Sequence, residues 1–325
     1  MRAPRKKPVI ALITPALASA NNGNWQTARR WARMLAGDYE VRLAQSWDGR
    51  AVDLMIALHA RRSAPSIAAW ADASPRKPLA VVLTGTDLYR DLATDAATQR
   101  SLAVADRLVV LHEGAPADVP AEQRAKCVVC FQSTAARKPL AKTTRHLRAL
   151  MVGHLRDEKD PRVYFAAARK LIDREDILLD HIGAPLDASL GAEAQALMRE
   201  QPRYRWLGAL PHAATLRHIQ RAHLLVHPSA MEGGAHVVME AMRSGTPVLA
   251  SKISGNVGML GPGYRGYFAP GDAGGLSVLL QRCRGDAAML QALRSQCDQR
   301  APLFEPAREQ ATLNGVVAEL LEKPK

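Results

Sequence analysis

Two carboxylates eight residues apart, with a glycine pair between them, are the residues of this sequence best suited to hold a polar ligand. They lie in the stretch His227-Pro-Ser-Ala-Met-Glu232-Gly-Gly-Ala-His-Val-Val-Met-Glu240-Ala-Met-Arg-Ser-Gly245-Thr-Pro247-Val-Leu-Ala. An apolar strand ends at His227-Pro228, a glycine loop follows, and a helix is predicted from about His236 until Gly245 stops it. Gly233 and Gly234 let backbone amides approach a ligand, and a helix N-terminus behind them favours phosphate oxygens. Glu240 then sits about 7 Å along that helix, so the two carboxylates can hold hydroxyls at opposite ends of one extended anion. The plainer alternative makes Glu232 a capping acid and Glu240 a solvated helix residue.

Two other patterns match motifs only in their letters. Gly261-Pro-Gly263-Tyr-Arg-Gly266 spells a dinucleotide fingerprint, but Gly266 runs into Tyr-Phe-Ala-Pro-Gly-Asp, a short strand and turn rather than a helix. Cys127 and Cys130 form a Cys-x-x-Cys inside an apolar run with no second pair at zinc spacing, so they read as strand thiols. With Cys283 and Cys297 they make four cysteines without a framework, which suits a reducing compartment.

The elements that must position these residues alternate in type. Strands are predicted at Val9–Ile13, Val41–Ala44, Leu54–Leu58, Leu79–Leu83, Leu108–Leu111 and Val128–Phe131. Helices fit between them, clearest at Trp25–Leu35, where Ala28, Trp31, Ala32 and Leu35 recur at helical spacing. The basic, proline-containing stretch Ser133–Arg145 reads as a linker. Alternation then resumes, with strands at Leu147–Val152, Ile177–Ile182, Trp206–Leu207, Leu224–Val226 and Val248–Ala250. Helices are predicted at Pro161–Ile172, Ala214–Arg221 and His236–Arg243, and a mainly helical tail over Ala273–Leu321. Such alternation argues two consecutive doubly wound α/β domains, whose ligands gather at the carboxyl ends of parallel strands.

The 325 residues are 47% hydrophobic and 23% charged, with a net charge of +13. That balance supports packed cores and favours anionic partners: nucleic acid, an anionic membrane face or phosphorylated small molecules. Only fifteen aromatics are scattered along the chain and no nucleic-acid motif appears, so nucleic acid is not expected as a partner. No apolar run approaches the length of a spanning helix, and no stable membrane insertion is expected. Arg2, Arg5, Lys6 and Lys7 before an apolar run imitate a secretory signal. Pro15 breaks that run after five residues, however, and a strand, loop and helix account for more of the segment. The protein is therefore expected to be cytoplasmic.

The stretch from His227 resembles the nucleotide-sugar signature of the retaining GT-B glycosyltransferases of family 4. That pattern has a Pro-Ser strand end, a Glu, a glycine-rich turn, a second Glu eight residues on, then Ala-Met-x-x-Gly-x-Pro-Val. The matching residues are Pro228, Ser229, Glu232, Gly233, Glu240, Ala241, Met242, Gly245, Pro247 and Val248. The resemblance implies a GT-B fold, two Rossmann-like domains facing a central cleft. It gives an acceptor domain over 1–140, a nucleotide-sugar domain over 146–304, and a C-terminal helix over 305–325 packing back on the first domain. It also implies that Glu232 and the amides of Gly233, Gly234, Ala235 and His236 hold the donor sugar, and that Glu240 holds the ribose hydroxyls. A second family element, Val-Gly-Arg-Leu-x-x-x-Lys, reads Val152-Gly153-His154-Leu155-Arg156-Asp157-Glu158-Lys159. Lys159 matches the diphosphate-holding lysine. His154 replaces the arginine, and Arg156 is the alternative supplier of that charge.

The first half resembles the selenosugar synthases of the selenoneine pathway more than ordinary family 4 members. Thr14 to Trp25 replaces the usual Gly-Gly loop, and Leu83-Thr-Gly-Thr-Asp87-Leu-Tyr89 replaces the usual His-Asp segment. The implied reaction joins a sugar from a UDP-sugar (UDP-GlcNAc or UDP-glucose) to selenophosphate through a carbon–selenium bond. Asn21, Asn22, Gly23, Asn24, Thr84, Gly85, Thr86 and Arg29 are the implied acceptor-binding residues, with Arg30, Arg61 and Arg62 nearby. Glu232, His59 and Lys159 are the implied catalytic set. His59 follows a strand, as does His112, and the family places a histidine near the donor sugar at about the position of His59. The chain has no Asp-x-Asp, so no metal and no cofactor are expected. The alternative is a family 4 O-glycosyltransferase acting on a lipid-linked or lipopolysaccharide acceptor, for which Trp25–Leu35 is the candidate membrane-facing helix.

Overall fold

Residues 7–17 and 23–322 are described by a computed structural model of the chain. It divides into two units, one of residues 1–132 and 306–325, the other Ser133–Glu305. The segment 133–140, given above to the first domain, groups with the second unit.

In the first unit the elements run β1 (Val9–Ile13), α1 (Gly23–Leu35), β2 (Glu40–Ala44), β3 (Leu54–Leu58), α2 (Ala64–Ala73), β4 (Leu79–Leu83), α3 (Ala96–Val104), β5 (Arg107–Val110), α4 (Ala115–Asp118) and β6 (Cys127–Val129). The strands form one parallel sheet in the order β2-β1-β3-β4-β5-β6. Every residue of β1, β3 and β4 is buried. Both faces of these strands are covered, which is why they read as continuous apolar runs rather than alternating ones. On one face Ala28, Trp31 and Leu35 of α1 pack with Ile10, Leu12 and Ile56.

The second unit runs β7 (Leu147–Val152), α5 (Pro161–Lys170), β8 (Ile177–Ile182), α6 (Ala188–Glu200), β9 (Tyr204–Trp206), α7 (His212–Arg221), β10 (Leu224–His227), α8 (His236–Met242), β11 (Val248–Ser251), α9 (Ser254–Leu260), β12 (Tyr267–Phe268), α10 (Ala273–Gly285) and α11 (Ala287–Arg300). Its parallel sheet has the order β12-β11-β10-β7-β8-β9. The last helix, α12 (Pro306–Glu322), belongs to the first unit, where Leu313, Val316, Val317 and Leu320 join the α1 core. Its Glu309 is buried and binds Arg30 bidentately at 2.7 and 2.9 Å and Trp31 Nε1 at 2.7 Å.

The stretch read as a linker is fastened to the second unit. Arg137 N–H donates to Arg243 O (2.8 Å), Gln220 donates to Lys138 O (3.0 Å), and Lys142 Nζ reaches Ala222 O and Thr246 Oγ1. Pro139 lies so close to Gly245 that a Cβ there would meet its ring at 2.7 Å. The four cysteines are free thiols, and burial pushes the Cys130 thiol up to about 12. No helix among the described residues is long and apolar enough to cross a membrane.

Candidate functional site

In the second unit the two glycine-bearing loops after β7 and β10 meet. Gly153 N–H donates to Ile182 O at 2.9 Å, and a Cβ on Gly183 would fall 1.9 Å from Gly153 O. Only a glycine at 183 lets the chain after β7 run this close to the end of β8. From there a short 3₁₀ turn, Asp157–Lys159, leads through left-handed Asp160 (φ 45°) into α5. Glu158 O accepts from Ala230 N–H at 3.0 Å, which ties this turn to the loop after β10.

That tie brings two of the sequence-predicted residues into contact. Lys159 Nζ forms an ion pair with Glu232 Oε1, and both side chains are largely buried, 18% and 11% exposed. His227 Nε2, at the end of β10, lies 3.3 Å from the same oxygen. Burial alone would raise the Glu232 carboxyl, but the Lys159 ammonium and His227 beside it hold it well below the usual carboxylate range. Burial pushes His227 down, so it is neutral near pH 7. Backbone fit is tight here as well: a Cβ on Gly255 would meet Glu232 O at 2.1 Å.

Gly233 and Gly234 form the bend between Glu232 and α8, and Ala235 N–H donates to Met259 Sδ at 3.2 Å. That donation spends one of the amides predicted for the donor sugar. His236 begins α8 and Glu240 follows one turn on, 9% exposed. At the other end, Thr246 N–H bonds Ala241 O (2.9 Å) and Gly245 N–H bonds Met242 O (3.1 Å), with Gly245 at φ 67°. This is a Schellman stop, and it requires the left-handed residue that glycine supplies. Glu240 Oε1 is 2.7 Å from His212 Nε2 at the start of α7, a residue the sequence reading did not single out.

His154 and Arg156 share the loop that carries Lys159. His154 Nδ1 accepts from Ala184 N–H at 3.0 Å. Partial desolvation and the cations of Arg156 and Lys159 lower its pKa, which disfavours the charged ring in the ligand-free protein. Arg156 Nε lies 3.8 Å from Glu158 Oε2, and the side chain is 43% exposed.

In the first unit the loops after β3 and β4 are joined by a buried carboxylate. Asp87 Oδ1 accepts from the N–H groups of Thr84 (2.9 Å) and Gly85 (2.8 Å), and Oδ2 accepts from Ala60 N–H (2.9 Å). The backbone N–H groups of Thr84 and Gly85, two of the residues expected to bind an acceptor, are thus donated to Asp87. His59 has a left-handed backbone (φ 68°) and is buried. Its Nε2 is 2.9 Å from Thr86 Oγ1 and its Nδ1 is 3.9 Å from Asp87. Burial lowers its pKa although Asp87 opposes the shift. His112 bonds Tyr89 OH at 2.7 Å, and burial pushes it down to about 4.

Other predicted acceptor residues fare differently. Arg30 is consumed by Glu309, and Arg61 pairs with Asp91 at 3.2 Å and Asp95 at 3.3 Å. Arg29 and Arg62 are exposed, Gly23 and Asn24 open α1, and Asn21 and Asn22 lie outside the described residues. Asp87 was visible only as a letter in Thr-Gly-Thr-Asp. His212 carried no signal, because a lone histidine after a proline marks nothing beyond a helix start.

The architecture defines the class: two parallel six-stranded α/β units of the GT-B glycosyltransferase fold. Within it, residues 132–281 match the family described as "Glycosyl transferases group 1". Sucrose-phosphate synthase from Thermosynechococcus elongatus is similar in structure, with a TM-score of 0.77, 18% identity, and 97% of this chain and 99% of that one covered. Anabaena Alr3699/HepE, solved with UDP and glucose, gives a TM-score of 0.75 at 15% identity, covering 96% and 100%. S. aureus TarM, solved with UDP among its ligands, gives 0.66 at 12% identity. The match covers 83% of this chain but spans only 55% of TarM. No curated protein sequence matches the chain.

Proposed function

We propose that this chain is a glycosyltransferase that moves a sugar from a UDP-sugar, UDP-GlcNAc or UDP-glucose, to selenophosphate, forming a carbon–selenium bond. The observation that carries the donor half is the Lys159–Glu232 pair at a glycine bend with Glu240 one helical turn beyond, inside the segment matching group 1 glycosyl transferases. In this reading Glu240 holds the ribose diol and Glu232 the donor sugar. Lys159, with Arg156, offsets the charge that grows on the diphosphate as the bond to the anomeric carbon breaks. The selenium lone pair forms the new bond, and UDP leaves with the electrons of the old one. A selenolate already carries its charge, so no protein base has to remove a proton from it. Thr86 and the exposed Arg29 are the acceptor-side groups in this reading, and His59, whose Nε2 is 2.9 Å from Thr86 Oγ1, is the catalytic histidine expected near the donor sugar.

The membrane-acceptor alternative loses its candidate helix. Trp31 and Leu35 of α1 are fully buried in the core of the first unit and present no apolar face to a lipid. An acceptor competition tests the choice. The protein, supplied with UDP-GlcNAc or UDP-glucose in the presence of EDTA, is offered selenophosphate, thiophosphate, phosphate and a hydroxyl acceptor. The reading expects selenophosphate to win and EDTA to leave the rate unchanged. Preference for the hydroxyl acceptor would replace it with the O-glycosyltransferase, and strict dependence on Mg²⁺ or Mn²⁺ would overturn the metal-free mechanism.

A further inference from the structure

His212 belongs to no motif, yet among the described residues it is the side chain found bonding Glu240. Its Nε2 lies 2.7 Å from Glu240 Oε1. Backbone contacts fix the start of α7, which carries His212, whose side chain is 58% exposed. Pro211 caps α7, and its carbonyl accepts from the N–H groups of Ala214 (2.9 Å) and Thr215 (3.0 Å) and from Thr215 Oγ1 (3.3 Å). Helix α7 packs on α8, whose far end is fixed by the Schellman stop at Gly245. Both ends of the contact are thus anchored. Glu240 is 9% exposed and has no ammonium or guanidinium paired with it among the described salt bridges, unlike Glu232.

We propose that His212 is a positioning residue that holds the Glu240 carboxylate by Oε1, leaving Oε2 to grip the ribose diol of a nucleoside diphosphate. The inference rests on the reading of Glu240 given above and adds to it the group that aims the carboxylate. An Nε2–H is available in one neutral tautomer and in the cation, so the bond itself does not require a charged ring. A carboxylate on a helix with one oxygen fixed offers the other in a single geometry. Freed of that bond it samples several rotamers, and the diol must then order it on binding.

The test is calorimetric binding of UDP and 2′,3′-dideoxy-UDP to the full chain, wild type against His212→Ala and His212→Gln. Wild type should bind UDP more tightly than the dideoxy compound. His212→Ala should weaken UDP about three- to tenfold while leaving dideoxy-UDP unchanged, and His212→Gln, which keeps an N–H donor, should recover most of the loss. Unchanged dideoxy-UDP binding also shows that the variant is folded. If His212→Ala keeps the full discrimination, or weakens both ligands equally, His212 does not position Glu240 for a diol. If wild type itself fails to discriminate, the ribose role of Glu240 falls, and this inference with it.

Discussion

Removing the ammonium from Lys159 should expose how much the candidate site depends on a buried ion pair. Glu232 is 11% exposed and its carboxyl lies well below the ordinary value because Lys159, and to a lesser extent His227, face it. In Lys159→Ala the carboxylate must either stay charged without its partner, which costs roughly 3–5 kcal/mol, or take up a proton. From an ordinary value of 4.5, protonation at pH 7 costs about 3.4 kcal/mol, at 1.36 kcal/mol per pH unit. That caps the penalty the unpaired carboxylate itself can impose on the variant, and protonation of His227, 3.3 Å away, lowers it further. The expected loss of stability is about 2–3 kcal/mol at pH 7. Its pH dependence follows from the sign: a depressed carboxyl contributes stability above its unfolded value and loses it as pH falls. The variant's cost of protonating Glu232 fades between pH 7 and about 4.5. The wild-type contribution is intact at 4.5 and is lost only below it, as pH falls through the lowered folded value. The deficit should therefore be smaller at pH 4.5 than at pH 7 without vanishing, and the double variant Lys159→Ala/Glu232→Gln should recover part of it at pH 7. Urea unfolding of the full chain at both pH values measures this. A variant as stable as wild type at pH 7, or a deficit that does not change with pH, would refute the reasoning.

Glu240→Ala should raise the Kd for UDP by a factor corresponding to ~1.5–3 kcal/mol for hydrogen bonds to a charged group, read by calorimetry. The hydrogen bond to Glu240 raises the His212 pKa, and Arg137 opposes it. An NMR titration should find His212 above its ordinary value and find it lowered in Glu240→Gln. The stability this contact adds is present below pH 6.5 and fades as pH rises through the folded value. Asp87→Ala strands the N–H groups of Ala60, Thr84 and Gly85, and should cost about 2–4 kcal/mol in unfolding experiments. Gly183→Ala, whose Cβ would fall 1.9 Å from Gly153 O, should displace the loop carrying Lys159 and weaken UDP binding.

Much of the fold was legible because its central strands are buried on both faces. Val9–Ile13, Leu54–Leu58, Leu79–Leu83, Leu147–Val152 and Ile177–Ile182 appear with the predicted bounds. The first three are unbroken apolar runs of five residues, and the last two keep mostly apolar residues around Arg148 and around Asp180 and His181. Edge strands shifted: β6 is Cys127–Val129 rather than Val128–Phe131, and β9 is Tyr204–Trp206, because pairing on one side only imposes weaker limits. Ser133–Arg145, read as a linker from its proline and charge, carries no helix or strand and begins where the second unit begins. Its backbone and side chains are tied to Arg243, Gln220 and Thr246 of that unit. In the site, local spacing put Glu232 and Glu240 on either side of a glycine bend. The Lys159–Glu232 contact spans seventy-three residues, and sequence alone supplied both partners without pairing them. Asp87 and His212 stayed hidden for a related reason. Their importance lies wholly in which distant groups they bond.

The most direct test of the account is UDP formation from UDP-GlcNAc or UDP-glucose with selenophosphate, followed by phosphorus NMR for wild type and Glu232→Gln. The account predicts UDP in proportion to a new selenium-linked sugar product with wild type, and a rate reduced by orders of magnitude in the variant. Absence of UDP with either donor, or an unchanged rate in Glu232→Gln, would contradict it.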